Sequence, residues 1–270
     1  MCKGLRKWYG ALGLFVVGLL VGPHYLPAGE RGPIVFAAAS LKTALDAVVL
    51  DWQRKTGHRP VIVYGATSAL ARQVAQGAEG DIFVSADADW MDDLAARGLI
   101  DPASRVDLLS NRLVLIAPKD SALKTAILKT AIGPYFPLDR LLGDGRLAIA
   151  GVEAVPAGRY GKAALESLGV WEQAKDRLAQ AENVRAALRL VSRGETPLGI
   201  VYASDARADQ DVEVLGVFPA SSHPAIVYPA AKLKASTSSE SNAFLAYLEG
   251  PAARARFKEN GFATALSGSR

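Results

Sequence analysis

The sequence predicts an α/β protein of two lobes, each a mostly parallel sheet flanked by helices. Three observations predict it. Short β-branched runs alternate with helical periodicity from Ile34 onward, and this strand–helix pattern runs once over residues 34–100 and again over roughly 113–205. Half of the 270 residues are apolar against 21% charged, enough to fill sizeable cores in one large domain or two modest ones.

The chain opens with Lys3, Arg6 and Lys7 ahead of a fourteen-residue apolar stretch over residues 8–21, closed by Gly22 and Pro23. A charged start before a short apolar core is the pattern of an export signal, and it falls short of the about 20 residues that span a bilayer. Leu26-Pro27-Ala28 offers a cleavage point without a clean small-x-small pattern. Residues 1–28 therefore read as an export signal or, left uncleaved, an N-terminal anchor to the inner membrane. Cys2 precedes the apolar core, unlike a lipoprotein cysteine.

Strands are expected over 34–38, 61–64, 82–85, 113–117, 147–150, 198–202 and 225–229, each a short apolar run between turn residues. Leu41, Ala44, Leu45, Val48, Val49 and Trp52 recur at 3/4 spacing and predict the first helix. Further helices read over 69–76, 90–97, 160–168, 184–192 and 241–248. A final strand and two helices are expected to complete the first lobe. That makes residues 33–111 plus 218–270 lobe 1 and residues 112–217 lobe 2, with extended crossings near 111–115 and 217–224.

Composition excludes several functions. The chain has 31 Lys and Arg against 27 Asp and Glu, but Lys3, Arg6 and Lys7 precede residue 29 and no acid does, so the remainder carries 28 against 27. Without a basic run or an interleaved aromatic patch, no nucleic-acid partner is expected. A single cysteine rules out an internal disulfide or a cysteine metal cluster, and His24, His58 and His223 lack the spacing of a zinc site. Direct metal ligands are therefore not expected.

The chemistry concentrates where strands meet helices. Phe36-Ala37-Ala38-Ala39-Ser40-Leu41 turns closely on its alanines, with Ser40 placed to cap the helix beginning at Leu41. Tyr64-Gly65-Ala66-Thr67-Ser68 repeats the device with two adjacent hydroxyls. A third junction runs from Gly151 to Tyr160 through Pro156, Ala157 and Gly158, and a fourth has Asn183 as N-cap with Val184 the first helical residue. A fifth element, Leu198-Gly199-Ile200-Val201-Tyr202, ends a buried strand on a tyrosine, which reads as structural or as a hydroxyl donor at the cleft edge. Such helix starts offer free N–H groups and positive dipole ends, a ready anion site. Arg72, Arg159 and Arg185 lie a turn further on and are expected on helix surfaces, leaving neutral donors suited to a fully deprotonated oxyanion. A monoprotonated phosphate would want an acceptor such as Asp81 or Asp87, for which a cap or turn role is favoured.

These junctions, with Leu70-Ala71-Arg72-Gln73, Asp81-Ile82-Phe83-Val84-Ser85-Ala86-Asp87 and Val155-Pro156-Ala157-Gly158, resemble the periplasmic molybdate-binding proteins of ABC transporters from about Ile34 to Phe262. The resemblance implies the type II periplasmic-binding fold, two lobes joined by two crossing strands, which captures molybdate or tungstate in the cleft without chemistry. It implies that Ser40 binds the oxyanion through its hydroxyl and N–H, that Ala157 and Val184 donate backbone N–H groups, and that the Tyr202 hydroxyl completes the shell. Thr67 stands where the family usually has serine and adds a methyl group; Thr67 or Ser68 supplies that hydroxyl. Molybdenum would be held only through its oxygens, with no cofactor and no catalytic residue. The implied partners are the oxyanion and a membrane permease, for a monomer in the periplasm. A binder of another tetrahedral oxyanion such as sulfate is the alternative within the same fold. An enzyme would need a base beside Ser40 or Thr67, and no histidine, P-loop or Gly-x-Ser-x-Gly elbow lies there. A regulator's sensing domain would need a preceding DNA-binding helix pair, which is absent from the sequence.

Overall fold

The computed structural model describes Met1, residues 32–119, Ser121 and residues 131–264. The expected export signal or anchor, with Cys2 and Leu26-Pro27-Ala28, otherwise lies outside the described residues. Among the described residues no helix is long and apolar enough to cross a membrane.

The chain first builds β1 (Ile34–Ala38), α1 (Lys42–Thr56), β2 (Val61–Gly65), α2 (Thr67–Ala75), β3 (Ile82–Val84), α3 (Ala88–Ala96) and β4 (Val106–Ser110). It crosses at Asn111 and Arg112 into β5 (Leu113–Pro118), α4 (Leu138–Leu142), β6 (Leu147–Ala150), α5 (Pro156–Ser167), α6 (Trp171–Ala174), β7 (Leu178–Ala181), α7 (Val184–Ser192), β8 (Leu198–Tyr202), α8 (Ala203–Arg207) and β9 (Val212–Val217). It returns to β10 (Val227–Lys232), α9 (Ser241–Glu249), α10 (Pro251–Glu259) and β11 (Ala263–Thr264). One sheet has the order β11-β4-β10-β3-β1-β2 and the other β7-β6-β8-β5-β9, each the centre of one lobe.

Both sheets are mixed rather than mostly parallel. β1 runs parallel to β2 and β3, and β6 to β7 and β8, while β10 is antiparallel to β3 and β4, and β5 to β8 and β9. The reason is the double crossing. Strands followed by helices end at the lobe boundary, whereas β5 and β10 arrive from the other lobe and therefore start there. The expected strand over 225–229 is displaced to β10 by two residues at its start. β4 and β9 lack the strict alternation by which a half-covered strand is recognised: Leu108 and Leu109 are both buried next to exposed Asp107, and in β9 the buried Val212 and Leu215 stand three apart.

The apolar stripe on α1 is buried as its spacing requires: Leu45 and Val48 are sealed, and Trp52 meets Phe244 of α9 edge-on at 5.3 Å. The C-terminal helices thereby pack on α1. In the other lobe α5 sits very close to the end of β6. A Cβ on Gly158 would fall 2.2 Å from the Ala150 carbonyl oxygen and 2.4 Å from that of Gly151, so only glycine lets this helix start against the strand. Gly158→Ala is expected to destabilise the protein by about 1–3 kcal/mol, read as a lower denaturant midpoint; an unchanged midpoint would show that the close approach is not needed.

Candidate functional site

Four chain reversals converge between the sheets. After β1 the backbone makes a 3-10 turn, Ala39–Leu41, before α1 begins. Ser40 sits inside this turn and caps nothing: Leu41 is the N-cap of α1, and no side chain bonds there. The buried Ser40 hydroxyl instead lies 2.9 Å from the Tyr228 hydroxyl. The tight turn leaves the serine facing inward, away from the α1 N–H groups that a cap would serve.

Thr67 is the first residue of α2, and its Oγ1 accepts a hydrogen bond from Ala86 N–H at 3.1 Å. That leaves its own hydroxyl hydrogen to donate elsewhere. α5 begins at Pro156 with Ala157 second, and Val184 opens α7 behind Asn183, whose side chain accepts from Ala186 N–H. First-turn N–H groups have no partner four residues back in their own helix. Tyr202 ends β8 fully buried, and its hydroxyl has no hydrogen-bond partner among the described residues. Burial pushes its pKa well above the ordinary value, so the hydroxyl keeps its hydrogen.

Ser40, Thr67, Ala157, Val184 and Tyr202 line one small cavity, together with Asn183, Pro156 and the small residues of the turns. No charged side chain is among its lining residues. Ser68, the alternative to Thr67, is buried outside that lining, and its Oγ has no hydrogen-bond partner among the described residues.

The charges lie around the cavity rather than in it; Arg72 is exposed on its helix as expected, while the expectation is corrected for Arg159 and Arg185. Arg185 reaches from α7 to the other lobe: it donates to the Ser40 carbonyl at 3.1 Å and to Thr43 Oγ1 at 3.2 Å. Its Nε also lies 2.6 Å from Asp205 Oδ1, an ion pair whose N–H is not aligned as a hydrogen bond. Burial pushes Asp205 up to about 6, against the pull of Arg185 and the Tyr202 N–H. Arg159 reaches from α5 to Asp87 at 3.3 Å and to Asp89. Beside it Trp90 Nε1 donates to the Ala154 carbonyl at 2.9 Å. The arginines follow helix starts that abut the opposite lobe, so their first turn faces that lobe rather than solvent. Arg72 stacks over the Trp90 ring at 5.7 Å.

Asp87 holds the cap role read for it, whereas Asp81 ties distant segments together rather than capping or turning its own. Asp87 caps α3 by accepting from Trp90 N–H, and burial raises its pKa to about 6. Asp81 accepts from Ile34 N–H, Ser236 Oγ and Ser238 N–H. Sequence reasoning missed Tyr228 and Asn111. Neither sits at a strand-to-helix junction, where the sequence signals an anion site.

Comparison with known proteins converges with this geometry. The family model for bacterial extracellular solute-binding proteins matches residues 34–263. The molybdate-binding protein ModA of Escherichia coli K12 is 41% identical over 257 residues, covering 95% of this chain and 98% of that one. The molybdate-binding protein ModA of Haemophilus influenzae is 40% identical over 237 residues, covering 87% and 91%. The solved periplasmic molybdate-binding protein of Azotobacter vinelandii shares the two-lobed α/β fold, with a TM-score of 0.75 at 24% identity over 86% of this chain and 99% of that one. With a family model spanning most of its length and relatives this similar, the chain belongs to the bacterial extracellular solute-binding proteins.

Proposed function

We propose that this protein captures molybdate, and tungstate with it, between its lobes and delivers it to the permease of an ABC transporter. The observation that carries the reading is the neutral cavity where Ser40, Thr67, Ala157, Val184 and Tyr202 meet. A dianion placed there receives hydroxyl hydrogens from Ser40, Thr67 and Tyr202 and backbone N–H groups from Ala157 and Val184. Charge-assisted hydrogen bonds from many directions stabilise it without a counter-ion, and the helix starts add their positive dipole ends. Molybdenum is reached only through its oxygens, so the residues are ligands to an oxyanion and need no cofactor. The lining holds no base to activate a hydroxyl, which favours binding over catalysis.

The two lobes correspond to residues 33–111 with 218–270 and residues 112–217. An oxyanion bridging them favours the closed arrangement, and that closure is the signal a permease reads. Such capture works as a monomer. The family's extracellular character, with the charged and apolar start of the chain, supports export to the periplasm. The Thr67 methyl group favours a second reading, sulfate, because it narrows the space for the larger molybdate.

Calorimetric titration with molybdate, tungstate, sulfate and phosphate tests the proposal. One-to-one molybdate binding with weak sulfate binding is expected; the reverse order, or no oxyanion binding by folded protein, overturns it. Ser40→Ala and Tyr202→Phe are each expected to weaken molybdate binding by about 1.5–3 kcal/mol with the fold intact, while Val184→Ala, whose contact is backbone, changes little. Full affinity in both hydroxyl variants would remove the cavity from consideration. Arg159→Ala loses half-exposed ion pairs worth about 0.2–1 kcal/mol each. It should speed molybdate release by about two- to thirtyfold with capture rate unchanged, as followed by stopped-flow tryptophan fluorescence. An unaltered release rate would mean that this strap does not hold the lobes.

A further inference from the structure

Ser40 belongs to a chain of hydrogen bonds that runs away from the cavity. Its Oγ lies 2.9 Å from the Tyr228 hydroxyl, and Asn111 Nδ2 lies 3.3 Å from that same hydroxyl and 2.9 Å from Ser204 Oγ. The direction of every bond in this chain follows from its far end. The N–H of Arg112 donates to Asn111 Oδ1 at 2.9 Å, and a backbone N–H is only ever a donor. That fixes which end of the amide is oxygen, so Nδ2 faces Tyr228 and Ser204 with its two hydrogens.

Tyr228 therefore accepts from Asn111. Its ring is fully buried, edge-on to Phe262 at 5.4 Å and to Tyr202 at 6.0 Å, so its hydroxyl is closed off from bulk solvent. Among the described contacts the acceptor within its reach is Ser40 Oγ. Burial also raises the Tyr228 pKa, so the phenol keeps that hydrogen. Ser40 thus accepts from Tyr228, and its remaining hydrogen is the one it presents to the cavity that it lines.

We propose that Tyr228, oriented by Asn111, is a positioning residue that holds Ser40 as a hydrogen-bond donor and so makes the cavity refuse oxyanions that carry a hydrogen. This rests on the reading of Ser40 as a ligand to the oxyanion. A free serine hydroxyl turns either way and offers both lone pairs to the hydrogen of a protonated anion; one already accepting from Tyr228 has a lone pair spent and its own hydrogen turned toward the cavity. A fully deprotonated tetrahedral oxyanion gains from this, whereas hydrogen phosphate brings one hydrogen that Ser40, already aimed as a donor, does not take up, and a donor left unpaired there is costly.

The test is titration of the purified full-length protein and its Tyr228→Phe variant. The probes are molybdate at mildly alkaline pH and inorganic phosphate from mildly acidic to mildly alkaline pH. Phenylalanine keeps the buried ring and removes only the hydroxyl. In the native protein phosphate affinity should climb with pH as the anion sheds hydrogens. In the variant that climb flattens, and the preference for molybdate over phosphate falls by about three- to tenfold. Asp87 and Asp205 ionise in this range in both proteins, so it is the difference between the two profiles that reports on Ser40. In a Ser40→Ala background Tyr228→Phe should have no further effect, and Asn111→Leu should shift selectivity in the same direction, which keeps the test open if Tyr228→Phe does not fold. Parallel phosphate profiles, an unchanged preference or additive losses in the double variant overturn the inference alone. Failure of the native protein to bind molybdate overturns the ligand reading and this inference with it.

Discussion

A chain that crosses twice between two sheets must place the ends of its strands along a common boundary, and everything distinctive about this molecule follows from that constraint. β1, β2, β6 and β8 all stop there because β5 and β10 start there. Where a strand stops and a helix or turn begins, the first N–H groups have no partner in their own element. Bringing several such starts together in a buried place would be costly unless something negative sits among them. The fold thus creates a demand for an anion before any side chain is chosen. The small residues at these turns, Ala38, Ala39, Gly65, Ala66 and Ala157, leave that demand open by not filling the space.

Charge is then distributed so as not to satisfy the demand from within. Arg185 and Arg159 lie one residue after Val184 and two after Ala157, close enough to neutralise an anion, yet both are committed elsewhere. Arg185 is held by the Ser40 carbonyl, Thr43 and Asp205, and Arg159 by Asp87 and Asp89. An arginine inside the cavity would bind any anion, protonated or not, through its charge. Spent at the boundary, the same residues tie the lobes together and leave selection to hydrogen-bond geometry. Because Arg185 holds the Ser40 carbonyl while Tyr228 holds the Ser40 hydroxyl, that residue is fixed from both lobes at once.

The parts legible in the sequence were those governed by neighbours in the chain. Asn183 as a cap, Val184 as a helix start and the alanine run before Ser40 each follow from rules that span a few residues, whereas the helix expected from Tyr160 starts four residues earlier, at Pro156. The burial of α1 follows from spacing alone. The capping role read for Ser40 did not hold, because a 3-10 turn intervenes and rotates the hydroxyl toward Tyr228, a residue 188 positions away. The cross-lobe arginines escaped for the same reason: Arg159 and its aspartates are separated by about 70 residues, and nothing local distinguishes them from a solvated helix face. β4 and β9 were illegible because partial burial dilutes the alternation on which a strand is recognised.

What decides the chemistry of the site is therefore the least local feature of all. The cavity's outline is drawn by turns that short-range rules describe, but the direction in which Ser40 offers its hydrogen is set at Asn111, on the crossing between the lobes, and passed on by Tyr228 from the strand that returns. Both residues lie on the segments that make the molecule two-lobed. The crossing that forces strands to end at one boundary is also the place from which the polarity of the boundary's first hydroxyl is controlled. Architecture and selectivity here share one cause, and a change to either crossing is felt in the cavity through hydrogen bonds rather than through shape.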